Sequence, residues 1–269
     1  MDAPRFDFHI HTRHLGCANG TMETAAIVGE CERLGLTAIA LTDHLNRRDQ
    51  APLHELIRKE IAELDPRLAI YFGVELNYLE CDGEFACDEE LMRSSGWQFA
   101  IGGIHSTYLG DWDPGRIVDI QHRHHLKTCR DPLVDVLVHP YWYGSGEFAR
   151  NGWTLFDSME HVPASYAREL GRVARETGTA IEINACAVLD PKRGERWVRS
   201  YVDYLRIVAG EGPLFSLASD AHDIGALRNI SWAQEAAREL GLTAERIWAP
   251  DCPPLRGPSR ADAHSRSTR

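Results

Sequence analysis

The residues with the clearest chemical capacity lie near the start of the chain, in Phe6-Asp7-Phe8-His9-Ile10-His11-Thr12. If residues 6–11 form a strand, alternate side chains share a face. Asp7, His9 and His11 would then point one way, and Phe6, Phe8 and Ile10 the other. Two imidazoles on one face of a strand end make half of a metal clamp, since neutral imidazole is the commonest metal ligand. The same residue types recur at Thr42-Asp43-His44, Gly73-Val74-Glu75, Ile104-His105-Ser106, His139-Pro140 and Ser219-Asp220-Ala221-His222. So many imidazoles and carboxylates brought together in a buried place would carry a heavy desolvation cost, which bound divalent cations offset. Mixed His and carboxylate ligation suits Zn, Mn or Fe and differs from a cysteine-rich structural zinc site.

The elements that must position these groups follow from the apolar pattern. Strands are predicted at 6–11, 37–42, 68–75, 98–104, 134–138, 179–184 and 214–219, and helices at 22–34, 52–64, 114–127, 163–177, 193–210 and 225–240. Repeated βα units favour a parallel sheet, and seven strands favour a barrel. In a parallel barrel all strand C-termini meet at one rim, where active sites sit. Each motif above falls at or just after such a strand end. Residues 1–249 read as one barrel domain. The acidic stretch 76–97 reads as an insert or helical loop, and the Pro/Ser/Arg-rich stretch 250–269 as a disordered tail.

Bulk properties narrow the function classes. The formal charge is −11, from 29 Lys and Arg against 40 Asp and Glu, which disfavours nucleic-acid binding. An anionic substrate would need bound cations to reverse the local field. No long apolar run predicts a membrane span, and the N-terminus lacks a secretory pattern, so a cytoplasmic location is expected. The seven cysteines include no CxxC pair and read as reduced thiols. The sequence contains no P-loop, no GxSxG and no GxGxxG.

HIHT, TDH, the Glu75 strand end, IHS, HP and SDAH stand in the order of the motifs of the PHP (polymerase and histidinol phosphatase) family, which the chain resembles over about residues 6–225. The resemblance implies a distorted (β/α)7 TIM-like barrel and a metal-dependent phosphoesterase acting on a small-molecule phosphate monoester. It implies two or three divalent ions. His9, His11, Glu75 and Asp220 would hold one, Glu75 bridging to a second held by His105 and His139. His44, His222 and one further group would hold a third. Histidinol phosphatases carry a histidine six residues after the HxH, where this chain has Cys17; His14 is the near alternative.

Ile181-Glu182-Ile183-Asn184 resembles the family's EIN strand, with Glu182 and Asn184 on the inward face by period two. Asn184 is a candidate substrate contact. A basic residue follows this strand in histidinol phosphatases and binds the phosphate; here the next loop offers Lys192 and Arg193, while Arg13 and Arg228 are rival clamps. The expected mechanism is in-line attack by a hydroxide held between two metals, with Glu75, Asp220 and His222 as catalytic residues. His222 or Asp43 is a candidate helper of the leaving alkoxide. Tyr141, Trp142 and Tyr143 offer stacking surfaces for a ring. His122, His124 and His125 read as an exposed helix face without chemistry. Two rival readings are a metallohydrolase of a non-phosphate ester or amide, and a non-catalytic metal-binding module.

Overall fold

A computed structural model describes residues 4–257. In chain order the elements are β1 (Phe6–Ile10), α1 (Thr24–Arg33), β2 (Ala38–Leu41), β3 (His44–Leu45), α2 (Ala51–Glu63), β4 (Ala69–Phe72), β5 (Val74–Asn77), α3 (Glu89–Ser95), β6 (Ala100–Gly103), α4 (Pro114–Arg130), β7 (Val136–Leu137), α5 (Ser145–Asn151), α6 (Ala164–Thr177), β8 (Ala180–Asn184), α7 (Glu195–Gly210), β9 (Phe215–Ala218) and α8 (Ile230–Glu239). All strand pairs are parallel, in the orders β1-β2-β4 and β3-β5-β6-β7-β8-β9. β2 and β3 are two parts of one interrupted strand, as are β4 and β5. The second interruption is Gly73, where a Cβ would sit 2.8 Å from Thr42 Cγ2 and 2.9 Å from Phe99 Cζ. Only a residue without a side chain lets the neighbouring strands close up there. Counted this way, the expected seven strands form a TIM-like α/β barrel.

The barrel closes between β9 and β1. Ile10 bridges Ala221 in parallel, the Asp220 N–H donates to the His9 carbonyl at 2.9 Å, and the Ser219 N–H donates to Asp7 Oδ1 at 2.9 Å. This closure overturns the simple alternation expected for residues 6–11. β1 pairs Asp7 with Ile39 but Ile10 with Leu41, so one extra residue is accommodated between them. Phe8 consequently packs with Ala40, Phe99, Ile101, Val136, Val138 and Ala180. That cluster is the barrel interior, because Ile101 lies beside Glu75 in register and Ala180 precedes Glu182 by two. The bulge lets Phe8 fill the interior while His9 and His11 still reach the rim. Asp7 becomes a buried acceptor at the seam, and burial, opposed by the Ser219 hydrogen bonds, pushes its carboxyl up to about 7.

Two further expectations change. The α4 histidines are buried: His122, His124 and His125 are 5%, 3% and 1% exposed. α6 packs over α4, and the loop after β7 packs beneath it. The expected tail from 250 is partly placed: Gln98 Nε2 donates to the Pro253 carbonyl at 2.7 Å, and Ile70 and Arg256 exchange backbone hydrogen bonds. Trp248 lies edge-on to Phe8 and Phe99, with centroids 5.8 and 5.3 Å apart, and so covers the barrel end opposite the motifs. Residues 258–269 lie outside the described part. Within the acidic stretch 76–97, Asp88 caps α3 by accepting from the Leu91 N–H at 2.8 Å. Among the described residues no helix is long and apolar enough to cross a membrane.

Candidate metal centre

The strand ends converge on Glu75, at 0% exposure. Its two carboxylate oxygens face different rings. Oε2 lies 3.3 Å from His9 Nε2, 3.3 Å from His11 Nε2 and 2.7 Å from His44 Nδ1. Oε1 lies 3.0 Å from His105 Nε2 and 3.4 Å from His139 Nε2. Asp220 Oδ1 joins the first group, 3.3 Å from His11 Nε2 and 3.6 Å from His9 Nε2. Neither Glu75 oxygen has an aligned hydrogen-bond donor, nor does His44 Nδ1. A fully buried carboxylate left without aligned donors is costly. Cations seated between it and the rings remove that cost, so the donor set fits divalent metal ions.

The electrostatics match. Burial alone would raise Glu75, yet His44, His9 and His105 hold its carboxyl well below the usual range. Asp220 is likewise held down against burial, by His9, His11 and His222. Burial depresses His11 to about 3 and His105 to about 4, which keeps both rings neutral at pH 7, the form that can bind a metal. For His9, burial is outweighed by Glu182, Asp220 and Glu75, which raise it well above its ordinary value.

Behind the rim lies a carboxylate with a different task. Glu182 Oε1 accepts from His9 Nδ1 at 2.7 Å, and Oε2 accepts from the His139 N–H at 2.8 Å and Asn184 Nδ2 at 2.9 Å. A carboxylate behind a ligand histidine fixes its tautomer and orientation. Period two already put Glu182 on the inward face; what the spacing of residues does not encode is its contact with His9 across the barrel. Asn184 turns out to share this task. It is 0% exposed, donates also to Asp220 Oδ2 at 3.1 Å, and accepts from the Ala187 N–H at 2.8 Å. Its polar atoms are thus engaged by Glu182, Asp220 and the Ala187 backbone, and it is not among the residues that line the cleft over the centre.

The backbone is strained at two of the candidate ligands. His139 and Asp220 have φ of 25° and 55°, and Tyr141 has 57°. Such left-handed conformations cost about 1–3 kcal/mol each and persist where surroundings over-determine them. At the His139-Pro140-Tyr141 turn those surroundings are explicit. Glu182 holds the His139 N–H, Tyr201 Oη donates to the Pro140 carbonyl at 2.7 Å, and the Tyr141 N–H donates to His125 Nε2 at 3.0 Å. Tyr141 Oη bonds His122 Nδ1 at 3.0 Å. His122 and His125 therefore brace the turn that carries the candidate ligand His139, whereas His124 packs on Tyr78 and Tyr108. His125→Leu is expected to weaken metal binding at His139 by about 10–100-fold, as loss of an outer partner does. His125→Gln, which keeps an acceptor, should recover most of it. Metal titrations of both variants check this, and equal weakening in the two would refute the brace.

A cleft of about 270 Å³ opens on the centre, lined by His44, His105, His139, Trp142, Cys186, Ala187, Asp220 and His222. Cys186 and Ala187 carry no recognisable sequence signal. None of the expected phosphate clamps lines it. Arg13 pairs with Glu23 at 3.2 Å, while Lys192 and Arg228 are exposed. Arg193 stacks on Trp197 at 4.1 Å and donates to the Tyr143 carbonyl at 3.3 Å. Of the three rim aromatics only Trp142 faces the cleft; Tyr141 and Tyr143 are buried. Asp43 is buried, its oxygens accepting from the Thr12 N–H and hydroxyl at 2.5 and 2.6 Å, so it anchors the turn after β1. At the third position Cys17, His44 and His222 come together beside His11, all ligand atoms within 4.8 Å. His14 is turned away toward Glu60, 3.0 Å distant.

A TIM-like barrel whose strand ends gather histidines and carboxylates around one shared Glu is a metal-binding barrel of the kind that hosts hydrolytic centres. The family model of the PHP domain matches residues 7–185, more than half of the chain. The chain belongs to that family. A protein of Proteus mirabilis (strain HI4320) described as a probable phosphatase is 23% identical over 245 residues, covering 90% of this chain and 88% of the relative. A probable phosphatase of Syntrophotalea carbinolica is 25% identical over 247 residues, covering 90% of each. Among solved structures, the histidinol phosphate phosphatase of Lactococcus lactis, crystallised with zinc, L-histidinol and phosphate, superposes with a TM-score of 0.58. It covers 90% of this chain and 95% of its own at 18% identity, a likeness of fold.

Proposed function

We propose that this protein is a metal-dependent phosphoesterase that hydrolyses a small-molecule phosphate monoester. The observation that carries the reading is the division of Glu75, one oxygen toward His9, His11 and His44 and the other toward His105 and His139. That is the arrangement a bridging carboxylate requires. In this reading His9, His11, Glu75 and Asp220 hold one ion, and Glu75, His105 and His139 a second. Cys17, His44 and His222 hold a third. Bound there, divalent Zn, Mn or Fe would lower the pKa of water and neutralise charge on phosphate oxygens. The relatives described as phosphatases, and the neighbour crystallised with phosphate, support the choice of substrate class.

The chain's own residues supply orientation and proton handling. Glu182 and Asn184 hold His9 and Asp220 in place from behind. Trp142 forms one wall of the cleft, against which the organic part of the ester packs. Asp220 and His222 line the same cleft, and the leaving alkoxide is placed on the side of His222, whose ring is 39% exposed.

Hydrolysis of a non-phosphate ester or amide is the second reading, favoured by the lack of an Arg or Lys among the cleft-lining residues. The test is a panel of phosphomonoesters, carboxylic esters and amides, run on protein of measured metal content. Phosphate release from a subset of monoesters is expected. Turnover confined to esters or amides would replace the proposal with the second reading, and no turnover on any class would favour a non-catalytic metal module.

A further inference from the structure

We infer that the third site, built from Cys17, His44 and His222, selects a thiophilic divalent ion, zinc over manganese, whereas the Glu75 pair beside it does not. The inference rests on the metal centre proposed above and is independent of which substrate is cleaved.

The two kinds of site differ in donor chemistry. The pair is framed by imidazole nitrogens and by the carboxylates of Glu75 and Asp220, a set that Zn, Mn and Fe all tolerate. The third group gathers one sulfur with the rings of His44, His222 and His11, and since His11 Nε2 is turned to Glu75 and Asp220, one sulfur and two imidazoles remain for the third ion. Thiolate is a soft ligand that favours zinc, while manganese favours oxygen. Three protein ligands also leave the open position typical of a catalytic zinc site.

His11 supplies a second, separate observation. Its Nε2 is turned to Glu75 and Asp220, 3.3 Å from each, which places it as a ligand of the pair. A neutral imidazole used through Nε2 carries its proton on Nδ1. That Nδ1–H faces Cys17 Sγ at 3.7 Å. The sulfur thus sits against the ring of a ligand of the pair and within reach of the His44 and His222 rings, so the two sites share a wall. The alternative His14 is occupied by Glu60. Cys17 itself is exposed at the rim, after the left-handed turn at Gly16 with φ of 77°. When the ion binds, the thiol proton is released to solvent and the sulfur lone pair forms the new bond; nothing is oxidised or reduced.

The experiment loads metal-free protein separately with Mn²⁺, Zn²⁺ and Co²⁺, counts ions per chain by elemental analysis, and records the near-ultraviolet spectrum of the cobalt form. Wild type is expected to hold one more zinc than manganese and to show a thiolate-to-cobalt charge-transfer band. Cys17→Ser should lose the band and weaken the last zinc by more than the roughly 10–100-fold cost of an outer-shell change, with the pair retained as internal control. Cys17→His should bring the manganese and zinc counts level. Equal manganese and zinc counts in wild type would overturn the inference, as would a full cobalt complement without the band. Neither outcome bears on phosphate release, which is measured separately.

Discussion

Glu75→Gln is expected to strip the paired ions from the protein and reduce hydrolysis by about 10³-fold or more, about 4 kcal/mol of barrier at 1.4 kcal/mol per tenfold. The substitution is nearly isosteric, so packing is preserved and the charge alone is removed. An amide presents one oxygen and one NH₂, whereas the two Glu75 oxygens face separate groups of rings. The NH₂ would point a donor at one metal position, and the net charge balancing two cations would fall by one. The same carboxylate also raises His9 and His44 against their burial. Its removal leaves imidazoles gathered without their central counter-charge. Elemental analysis alongside turnover checks the prediction; wild-type metal content with full activity would remove Glu75 from its bridging role.

The second large effect is expected at Glu182, which touches no cleft. Glu182→Ala leaves His9 Nδ1 and the His139 N–H without their acceptor, and Asn184 Nδ2 with Asp220 alone. An unsatisfied buried group costs about 1–3 kcal/mol, so a loss of about 3 kcal/mol or more in unfolding free energy is expected. Metal affinity should fall with it, because His9 loses its orienting partner and Asp220 loses the support that Asn184 relays. Glu182→Gln separates the two effects. It keeps an acceptor for part of the network and should unfold near wild type, yet bind metal about 10–100-fold more weakly for want of the carboxylate behind His9. Denaturant unfolding and metal titration of both variants make the comparison. An alanine variant with unchanged stability and unchanged metal affinity would show that the hub carries no energetic role.

Much of the centre is legible in the order of short motifs, because in a parallel barrel a residue at a strand end has only one place to go. That is why His9, His11, His44, Glu75, His105, His139, Asp220 and His222 are found together at one rim. The basic residues illustrate the opposite case. Lys192, Arg193, Arg13 and Arg228 stand close in sequence to the motifs, but long side chains on loops follow whichever partner is nearest. Arg13 finds Glu23, and Arg193 finds the Trp197 ring. Period two puts Asn184 on the inward face, but only its depth along the barrel brings it to Glu182 and Asp220. The α4 histidines fail as a surface reading for a related reason. A histidine is polar enough to suggest solvent, yet Glu169 on α6 pairs with His122 and the Tyr141 N–H donates to His125, which offsets part of the cost of enclosing them.

From the sequence alone, then, came the seven-strand βα succession and the set of residues that meet at the rim, since both depend on local periodicity and on chain order. The tertiary structure alone decided the phase of β1, where closure against Ala221 forces an extra residue into the strand. It set Cys17 beside His11, His44 and His222 while Glu60 on α2 drew His14 aside. It also decided that residues 247–256 cover the far end of the barrel, through Trp248 on Phe8 and Arg256 on Ile70. Each of these rests on contacts between residues far apart in the chain. Their strength is set by hydrogen-bond geometry and burial in the folded barrel, which no local pattern of residue types contains.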